Sequence, residues 1–314
     1  MAPVTVLVYR EDDPERWAAL VRAPRGRVRV RTAATPAAAE AVIDEVDVLF
    51  AWNFPPALYR RARRLRWVQV MGAGVDAALV PELPAHVVVT RAPGVFGPWM
   101  AEYVLAWCLW RTQRVERYRA AQRARRWLAD VVPERLGGRT LVLVGLGDIG
   151  RVIARTARAL GLRVLGVSRS GRPVPHVERV YPVRALARAF READWAVLVL
   201  PLTPETRGLV DARALAALPP HAWLVNVGRG AVVDEAALVR ALEAGRLGGA
   251  ILDVFAREPL PPDSPLWGFE NVVVTPHVAG PDVPEAVTAV FNENLARFLA
   301  GRRPRHAVDR ARGY

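Results

Sequence analysis

Three polar residues with complementary chemistry lie at or just beyond apolar runs in the C-terminal half. Arg229 ends "WLVNVGR", Glu258 lies in "ILDVFAREPL" and His277 ends "NVVVTPH". A protonated imidazole can donate to the oxygen of a carbonyl that is being reduced. A nearby carboxylate favours the charged imidazole, and an arginine fork can bind a substrate carboxylate. Together these residues predict hydride reduction of a 2-oxo acid.

Two glycine-rich motifs could bind a dinucleotide. Residues 72–77, "GAGVDA", fit G-x-G-x-x-A, and residues 145–150, "GLGDIG", fit G-x-G-x-x-G. Pro81 and Pro84 follow the first motif closely and forbid a long helix there, whereas a proline-free helical stretch follows the second. The second motif is therefore the predicted site, where a helix N-terminus offers amides to phosphates. Its residues are Gly145, Leu146, Gly147, Asp148, Ile149 and Gly150.

The strand predicted after this motif does not end on the usual acidic residue. It ends on Ser168, Arg169 and Ser170, roughly 20 residues beyond Gly145, where an acid would bind the ribose of NAD. Arg169 can pair with a 2′-phosphate in a bidentate way, and the two serine hydroxyls can help. The pattern predicts a preference for NADP(H), with NAD(H) possible. The alternative is a solvent-exposed arginine beside loosely bound NAD.

The composition is that of a globular chain with room for two domains. Its 314 residues are 52% hydrophobic and 24% charged, with a formal net charge of +13 carried by arginine and no lysine. The longest apolar runs are too short to span a membrane, and the N-terminus reads as a strand rather than a signal peptide. The single cysteine, Cys108, makes neither a disulfide nor a metal site. We therefore expect a cytoplasmic protein with no membrane partner and no metal.

Two arginine-rich runs leave nucleic-acid binding open on general electrostatic grounds. They are Arg60–Arg66, "RRARRLR", and residues 123–127, "RARRW". Neither a helix-turn-helix nor a zinc-finger pattern accompanies them. We expect a solvated basic surface and no nucleic-acid partner.

Short apolar, β-branched runs alternate with helical stretches, which predicts an α/β fold with parallel sheets. One long helix is predicted over residues 98–127, which contain no interior glycine or proline, and a closing helix over 284–301. Strands are predicted at residues 4–9, 27–30, 47–52, 65–71, 86–90, 140–145, 162–167, 195–200, 221–228, 249–254 and 271–278.

Several motifs together resemble the D-2-hydroxyacid dehydrogenases over nearly the whole chain. They are "GLGDIG", "LPLTPETRGLV", "LVNVGRGAVVDEAALVRAL", "GGAILDVFAREPLPPDSPLW" and "NVVVTPHVAG". The resemblance implies NADPH-dependent reduction of a small 2-oxo acid, such as glyoxylate or hydroxypyruvate. It also implies a Rossmann-type cofactor domain, residues 101–281, inserted in a discontinuous, flavodoxin-like substrate domain, residues 1–100 and 282–314. A homodimer through the long helix is implied too, although burial within one chain would equally explain that apolar stretch.

The resemblance also assigns residues to substrate and catalysis. His277 would be the acid/base, Glu258 its partner and Arg229 the substrate-binding arginine. The backbone amides of Gly72, Ala73, Gly74 and Val75 would hold the substrate carboxylate, and such a nest of amides suits an anion. Trp52, with Trp99 and Met100, would shape the pocket.

Further residues are assigned by the resemblance to the cofactor. Asp253, Val227 and Gly228 would lie against the nicotinamide, together with His277 and Gly280. Pro201 and Thr206 would line the adenosine side. The family more often has alanine or serine at the position of Gly228, so we expect glycine to leave more room or flexibility at Arg229.

Two other functions remain open at this point. One is an NAD-linked D-2-hydroxyacid dehydrogenase with a different substrate, which Arg169 disfavours. The other is a cofactor-sensing binding protein on the same fold, which the Arg229, Glu258 and His277 set does not exclude. Turnover of NADPH with glyoxylate would separate the three functions.

Overall fold

The computed structural model describes residues 2–314 and divides the chain into two units. The first unit runs to Val95 and takes in Asp282–Tyr314, and the second is Phe96–Pro281. The second unit is thus inserted in the sequence of the first. Because α3 begins at Gly97, its first turn belongs to the second unit, although the sequence analysis assigned residues up to 100 to the substrate domain.

The structure confirms the α/β class. The strands are β1 Val4–Tyr9, β2 Val28–Ala33, β3 Val48–Ala51, β4 Trp67–Val70, β5 Val88–Thr90, β6 Thr140–Val144, β7 Arg163–Ser168, β8 Arg179–Pro182, β9 Trp195–Leu198, β10 Trp223–Asn226, β11 Gly249–Leu252 and β12 Val272–Val274. The α-helices are α1 Pro14–Ala19, α2 Pro36–Glu40, α3 Gly97–Thr112, α4 Val115–Arg123, α5 Asp148–Ala159, α6 Leu186–Phe190, α7 Ala212–Leu215, α8 Glu235–Glu243 and α9 Pro284–Leu299. Short 3₁₀ turns occur at Ile43–Glu45, Pro56–Arg60, Val183–Ala185, Gly230–Val232 and Pro265–Gly268.

The first unit is built on a five-stranded parallel sheet in the order β2-β1-β3-β4-β5. This is the flavodoxin-like order expected from the resemblance. Helix α9, which comes from the end of the chain, supplies part of the core. Its Phe291 is fully buried and stacks on Phe50 and Trp67, with ring centroids 4.3 and 5.1 Å away. Two distant segments of the sequence therefore share one hydrophobic core.

The second unit contains a seven-stranded parallel sheet in the order β12-β11-β10-β9-β6-β7-β8. Strands β6, β9, β10 and β11 are buried along their whole length, as expected for parallel strands covered on both faces. The strand order reverses between β6 and β9, which is the topological switch point of a Rossmann sheet. Ligands of such sheets bind beyond the carboxyl ends of the strands.

The prediction of one continuous helix over residues 98–127 is wrong. The chain forms α3 and α4 instead, and Arg114 between them adopts a left-handed conformation with φ of 55°. The hydroxyl of Thr112 donates to the carbonyl of Cys108, and the Arg114 guanidinium pairs with Glu134. Because the break depends on these contacts and not on a glycine or proline, helical periodicity does not reveal it. Within residues 2–314, no helix is long and apolar enough to cross a membrane.

Candidate active site

His277 and Glu258 form a hydrogen-bonded pair in the second unit. Nδ1 of His277 lies 2.8 Å from Oε2 of Glu258, and both side chains are partly exposed. The other oxygen of Glu258, Oε1, accepts the backbone N–H of Phe255 at 3.0 Å. An ionised carboxylate only accepts hydrogen bonds, so Nδ1 carries the proton and donates it to Glu258. Nε2 is then the ring atom that can exchange a proton with a substrate.

The surroundings of Glu258 keep its carboxyl ionised. Burial by itself raises the pKa, but hydrogen bonds from His277 and the Phe255 N–H, and the charges of His277 and Arg229, outweigh it. The net result is a pKa for Glu258 below its ordinary value. A charged carboxylate of this kind orients the imidazole through the bond to Nδ1.

Asp253 binds the backbone of His277 and of the two residues that follow it. Its carbonyl oxygen accepts the N–H of His277 at 2.9 Å, and its carboxylate accepts the N–H groups of Val278 at 2.8 Å and Ala279 at 2.9 Å. His277 itself has φ of 56°, a left-handed conformation that is unusual for a side chain with a Cβ. Asp253 is 1% exposed, so its carboxylate is engaged in fixing this loop. Its expected place against the nicotinamide stays a prediction.

Arg229 is positioned by Asn226, a buried residue that the sequence analysis missed. Nδ2 of Asn226 donates to the carbonyl of Arg229 at 3.0 Å, and Oδ1 accepts the N–H of Gly228 at 3.1 Å. The guanidinium of Arg229 donates to the carbonyl of Gly228 at 2.8 Å. The only sequence signal for Asn226 is one polar residue inside the apolar strand "WLVNV".

The extra room expected at Gly228 is absent, whereas the alternative, more flexibility at Arg229, stays a prediction. A Cβ at this position would lie 2.8 Å from the carbonyl oxygen of Leu200 and 2.9 Å from its backbone nitrogen. The space beside Gly228 is therefore filled by the chain that follows β9. Glycine at this position permits a close approach of two backbone segments.

The turn between β6 and α5 has the shape that a dinucleotide requires. Gly145 has φ of 107°, and a Cβ on Gly150 would collide with the carbonyl oxygen of Gly145. By contrast, the space beside Gly147, the N-cap of α5, is open within 4 Å. No side chain caps the helix, and its first amides can therefore serve an anion. The residues from Gly145 to Gly150 fit a pyrophosphate group.

The end of β7 carries no carboxylate, as the sequence predicts. Ser168 Oγ accepts the N–H of Gly171 at 3.2 Å, and Ser170 Oγ accepts the N–H of Arg172 at 3.3 Å. Arg169 is exposed. A hydrogen bond from Thr203 is the largest influence that lowers the pKa of Glu205, and the charge of Arg169 adds to it. Arg169 is thus near an anionic group already.

The remaining residues assigned to the cofactor lie in the second unit. Thr206 Oγ1 donates to the carbonyl of Pro201 at 2.7 Å and closes the turn after β9. Val227 is buried, and its N–H donates to the Leu198 carbonyl at 3.1 Å. A Cβ at Gly280 would lie 3.4 Å from the ring of Phe96 and 3.7 Å from Sδ of Met100. Met100 is buried, whereas Trp99 is exposed. Their contact with a cofactor stays a prediction.

The backbone amides assigned to the substrate carboxylate, and Trp52, lie in the first unit. The ring of Trp52 packs directly on Gly72, which has no room for a side chain. None of the backbone N–H groups from Gly72 to Val75 donates a hydrogen bond within residues 2–314. A run of such amides is a suitable site for an anion.

The first arginine-rich run is largely paired within its own unit. Arg60 pairs with Glu82 at 3.0 Å, Arg61 pairs with Glu40 and Asp44 at 2.6 and 2.7 Å, and Arg64 pairs with Asp47 at 3.0 Å. These carboxylates neutralise much of the run locally. Among residues 2–314, no cluster of His, Cys, Asp and Glu has the arrangement of a metal site.

Comparisons with known proteins show which family and which solved structures the chain resembles. The family model for the D-isomer specific 2-hydroxyacid dehydrogenase, NAD binding domain, matches residues 105–279. Glyoxylate/hydroxypyruvate reductase A of Serratia proteamaculans is 33% identical over 275 residues, covering 85% of this chain and 88% of that protein. A D-isomer specific 2-hydroxyacid dehydrogenase from Xanthobacter autotrophicus, solved with NADPH and MES, is 35% identical with a TM-score of 0.88. The NADPH-dependent glyoxylate/hydroxypyruvate reductase from Sinorhizobium meliloti, solved with NADP and sulfate, is also 35% identical, with a TM-score of 0.89. Both structural alignments cover 100% of each chain.

Proposed function

Because the chain belongs to the D-isomer specific 2-hydroxyacid dehydrogenase family, we propose that it reduces a small 2-oxo acid with NADPH. Glyoxylate, hydroxypyruvate or an acid of similar size is the proposed substrate. The observation that carries the proposal is the 2.8 Å hydrogen bond from His277 Nδ1 to Glu258, which leaves Nε2 as a proton donor. The relatives solved with NADPH or NADP support the choice of cofactor.

His277 is the acid of the proposed reaction. The nicotinamide, when bound, supplies the hydride to the carbonyl carbon of the substrate. Negative charge then develops on the carbonyl oxygen, and protonated His277 gives up its Nε2 proton to that oxygen. The imidazole becomes neutral, while Glu258 remains ionised and keeps Nδ1 protonated. In the reverse direction the neutral imidazole takes the proton back from the hydroxy acid.

Two cationic or amide-rich elements are assigned to the substrate carboxylate. The guanidinium of Arg229 is a planar fork that matches a carboxylate. Its charge contributes to lowering the pKa of Glu258. In the first unit, the N–H groups from Gly72 to Val75 suit an anion as well. Trp52, packed on Gly72, is assigned to the wall of this binding site.

The cofactor is assigned to the turn between β6 and α5 and to the end of β7. The open space beside Gly147 accommodates the pyrophosphate, and Arg169 with Ser168 and Ser170 binds the 2′-phosphate of NADP. Asp253, Val227, Gly228 and Gly280 are assigned to the nicotinamide side, and Pro201 and Thr206 to the adenosine side.

Initial rates with each cofactor and several acids test the proposal. Glyoxylate, hydroxypyruvate, pyruvate and phenylpyruvate would each be measured with NADPH and with NADH. We expect the highest kcat/KM for NADPH with glyoxylate or hydroxypyruvate. Preferred use of NADH with a larger acid would identify an NAD-linked dehydrogenase instead. Tight NADPH binding with no turnover of any 2-oxo acid would favour a cofactor-sensing protein.

We further propose that the protein is a cytoplasmic homodimer. Its support is the apolar surface of α3, where Trp99 is 48% and Leu109 38% exposed. Light scattering after size-exclusion chromatography should give twice the 34.5 kDa mass of one chain. A mass of one chain at micromolar concentration would contradict the dimer.

A further inference from the structure

A chain of hydroxyl groups connects α3 to the loop that carries His277. The phenol of Tyr103 lies 2.5 Å from Oγ1 of Thr275, and Oγ1 of Thr275 lies 2.6 Å from Oδ1 of Asp253. Oδ1 of Asp253 also accepts the N–H of Val278, and the backbone carbonyl of Asp253 accepts the N–H of His277. These residues all belong to the second unit.

The direction of each hydrogen bond in this chain follows from counting donors. The ionised carboxylate of Asp253 can only accept, so the single hydroxyl proton of Thr275 points to Asp253. The phenol of Tyr103 must then donate to Thr275. Burial raises the pKa of Tyr103 to about 12, so the phenol keeps its proton at neutral pH. The order is Tyr103 to Thr275 to Asp253, with no second arrangement available.

We propose that Tyr103 and Thr275 are positioning residues for His277, acting through Asp253. Neither side chain donates to the imidazole or to Glu258. The hydroxyl chain fixes the Asp253 carboxylate at the angle from which it binds the N–H groups of Val278 and Ala279. Those bonds hold His277 in its left-handed conformation, which is unfavourable for a residue with a Cβ. The inference rests on the proposed function, in which the direction of Nε2 matters for turnover.

Substitutions that remove one hydroxyl at a time test the chain. In Tyr103→Phe, kcat should fall about 2- to 12-fold, the loss expected for one neutral hydrogen bond. Thr275→Val should lose at least as much, and Thr275→Ser, which keeps the hydroxyl, should restore most of it. Adding Tyr103→Phe to Thr275→Val should cause little further loss of kcat, because the proposed action of the phenol on Asp253 passes through Thr275.

Tyr118→Phe is the matched control, since it removes the hydrogen bond from a phenol to the Val131 carbonyl at 2.8 Å in the same unit. Hydrogen exchange measured on peptides spanning residues 275–280 provides a second readout that needs no turnover. Exchange there should be faster in Tyr103→Phe and Thr275→Val than in the wild type or Tyr118→Phe. Equal exchange in Tyr103→Phe and Tyr118→Phe would overturn the inference. If the wild type fails to reduce 2-oxo acids, the proposed function is wrong. Hydrogen exchange at residues 275–280 would still test whether the hydroxyl chain positions the loop.

Discussion

His277 is the proposed acid and also has an unusual backbone conformation, with φ of 56°. A substitution that tests the imidazole should therefore tolerate this backbone conformation. Asparagine tolerates the left-handed region better than most residues, so His277→Asn removes the imidazole with little added strain. Turnover should fall by about 10²–10⁴-fold, the usual contribution of general acid catalysis, while NADPH binding persists. Stopped-flow and fluorescence titration measure the two quantities. Turnover near the wild-type rate would remove His277 from the mechanism.

Arg169 is the residue on which the cofactor preference depends. Arg169→Ala should weaken NADPH use and leave NADH almost untouched, because NADH has no 2′-phosphate. A hydrogen bond between charged partners is worth roughly 1.5–3 kcal/mol, so the ratio of kcat/KM values should shrink about 10- to 150-fold.

A neighbouring exposed arginine supplies the control for Arg169. Arg172 follows the same strand, and only its backbone N–H has a described bond, to Ser170. Arg172→Ala should leave the preference intact, and adding Ser168→Asp to Arg169→Ala should shift it further toward NADH through repulsion of the phosphate. If Arg169→Ala and Arg172→Ala behave alike, Arg169 is an ordinary surface arginine.

At the scale of elements, the segment at Gly228 shows how close the loops after β9 and β10 approach. Gly228→Ala would press a methyl group against the Leu200 backbone, and overpacking of this kind typically costs about 1–3 kcal/mol. Because Arg229 is the next residue, kcat/KM for the 2-oxo acid should fall together with the free energy of unfolding. Urea denaturation and initial rates measure the two effects. An alanine variant of unchanged stability and activity would mean that the Leu200 segment moves aside freely.

Local patterns predict most of the elements because parallel strands are short, apolar and buried on both faces. The same reasoning brings Arg229, Glu258 and His277 to one edge, since β10, β11 and β12 are neighbours in the sheet. Strand β8, Arg179–Pro182, was not predicted, because its exposed arginine and its proline are untypical of a buried parallel strand. Both residues are tolerated at the edge of a sheet. The break in the helix at Arg114 was not predicted either, because a tertiary ion pair between Arg114 and Glu134 stabilises the break.

The roles of Asn226 and Tyr103 show the limit of sequence reasoning for the site. Each acts through a contact that depends on the folded sheet, and Tyr103 is 172 residues from Thr275 in the sequence. No spacing rule connects residues so far apart. Residues that touch ligands can be inferred from their chemistry, whereas residues that hold them in place require the coordinates.

At the scale of the whole molecule, the first unit depends on the last helix of the chain. Phe291→Ala would remove a fully buried ring stacked between Phe50 and Trp67 and should lower the free energy of unfolding by about 3–5 kcal/mol. Phe298→Ala, in the same helix, is the control, because its ring is only partly buried and lies under Arg66. Chemical denaturation followed by near-ultraviolet circular dichroism compares them. Equal losses would show that Phe291 has no special place in this core.

The insertion of one unit within another also sets an order of events on the ribosome. Strands β1 to β5 leave the exit tunnel first, but Phe291 follows only after the entire second unit has been synthesised. At bacterial-type rates of about 5–20 residues per second, the nascent sheet waits roughly 10–40 s with the faces of Phe50 and Trp67 uncovered. During that interval the second unit can finish folding, whereas the hydrophobic core of the first unit remains incomplete. The time taken to translate the second unit thus sets how long the segment made first waits for its last helix.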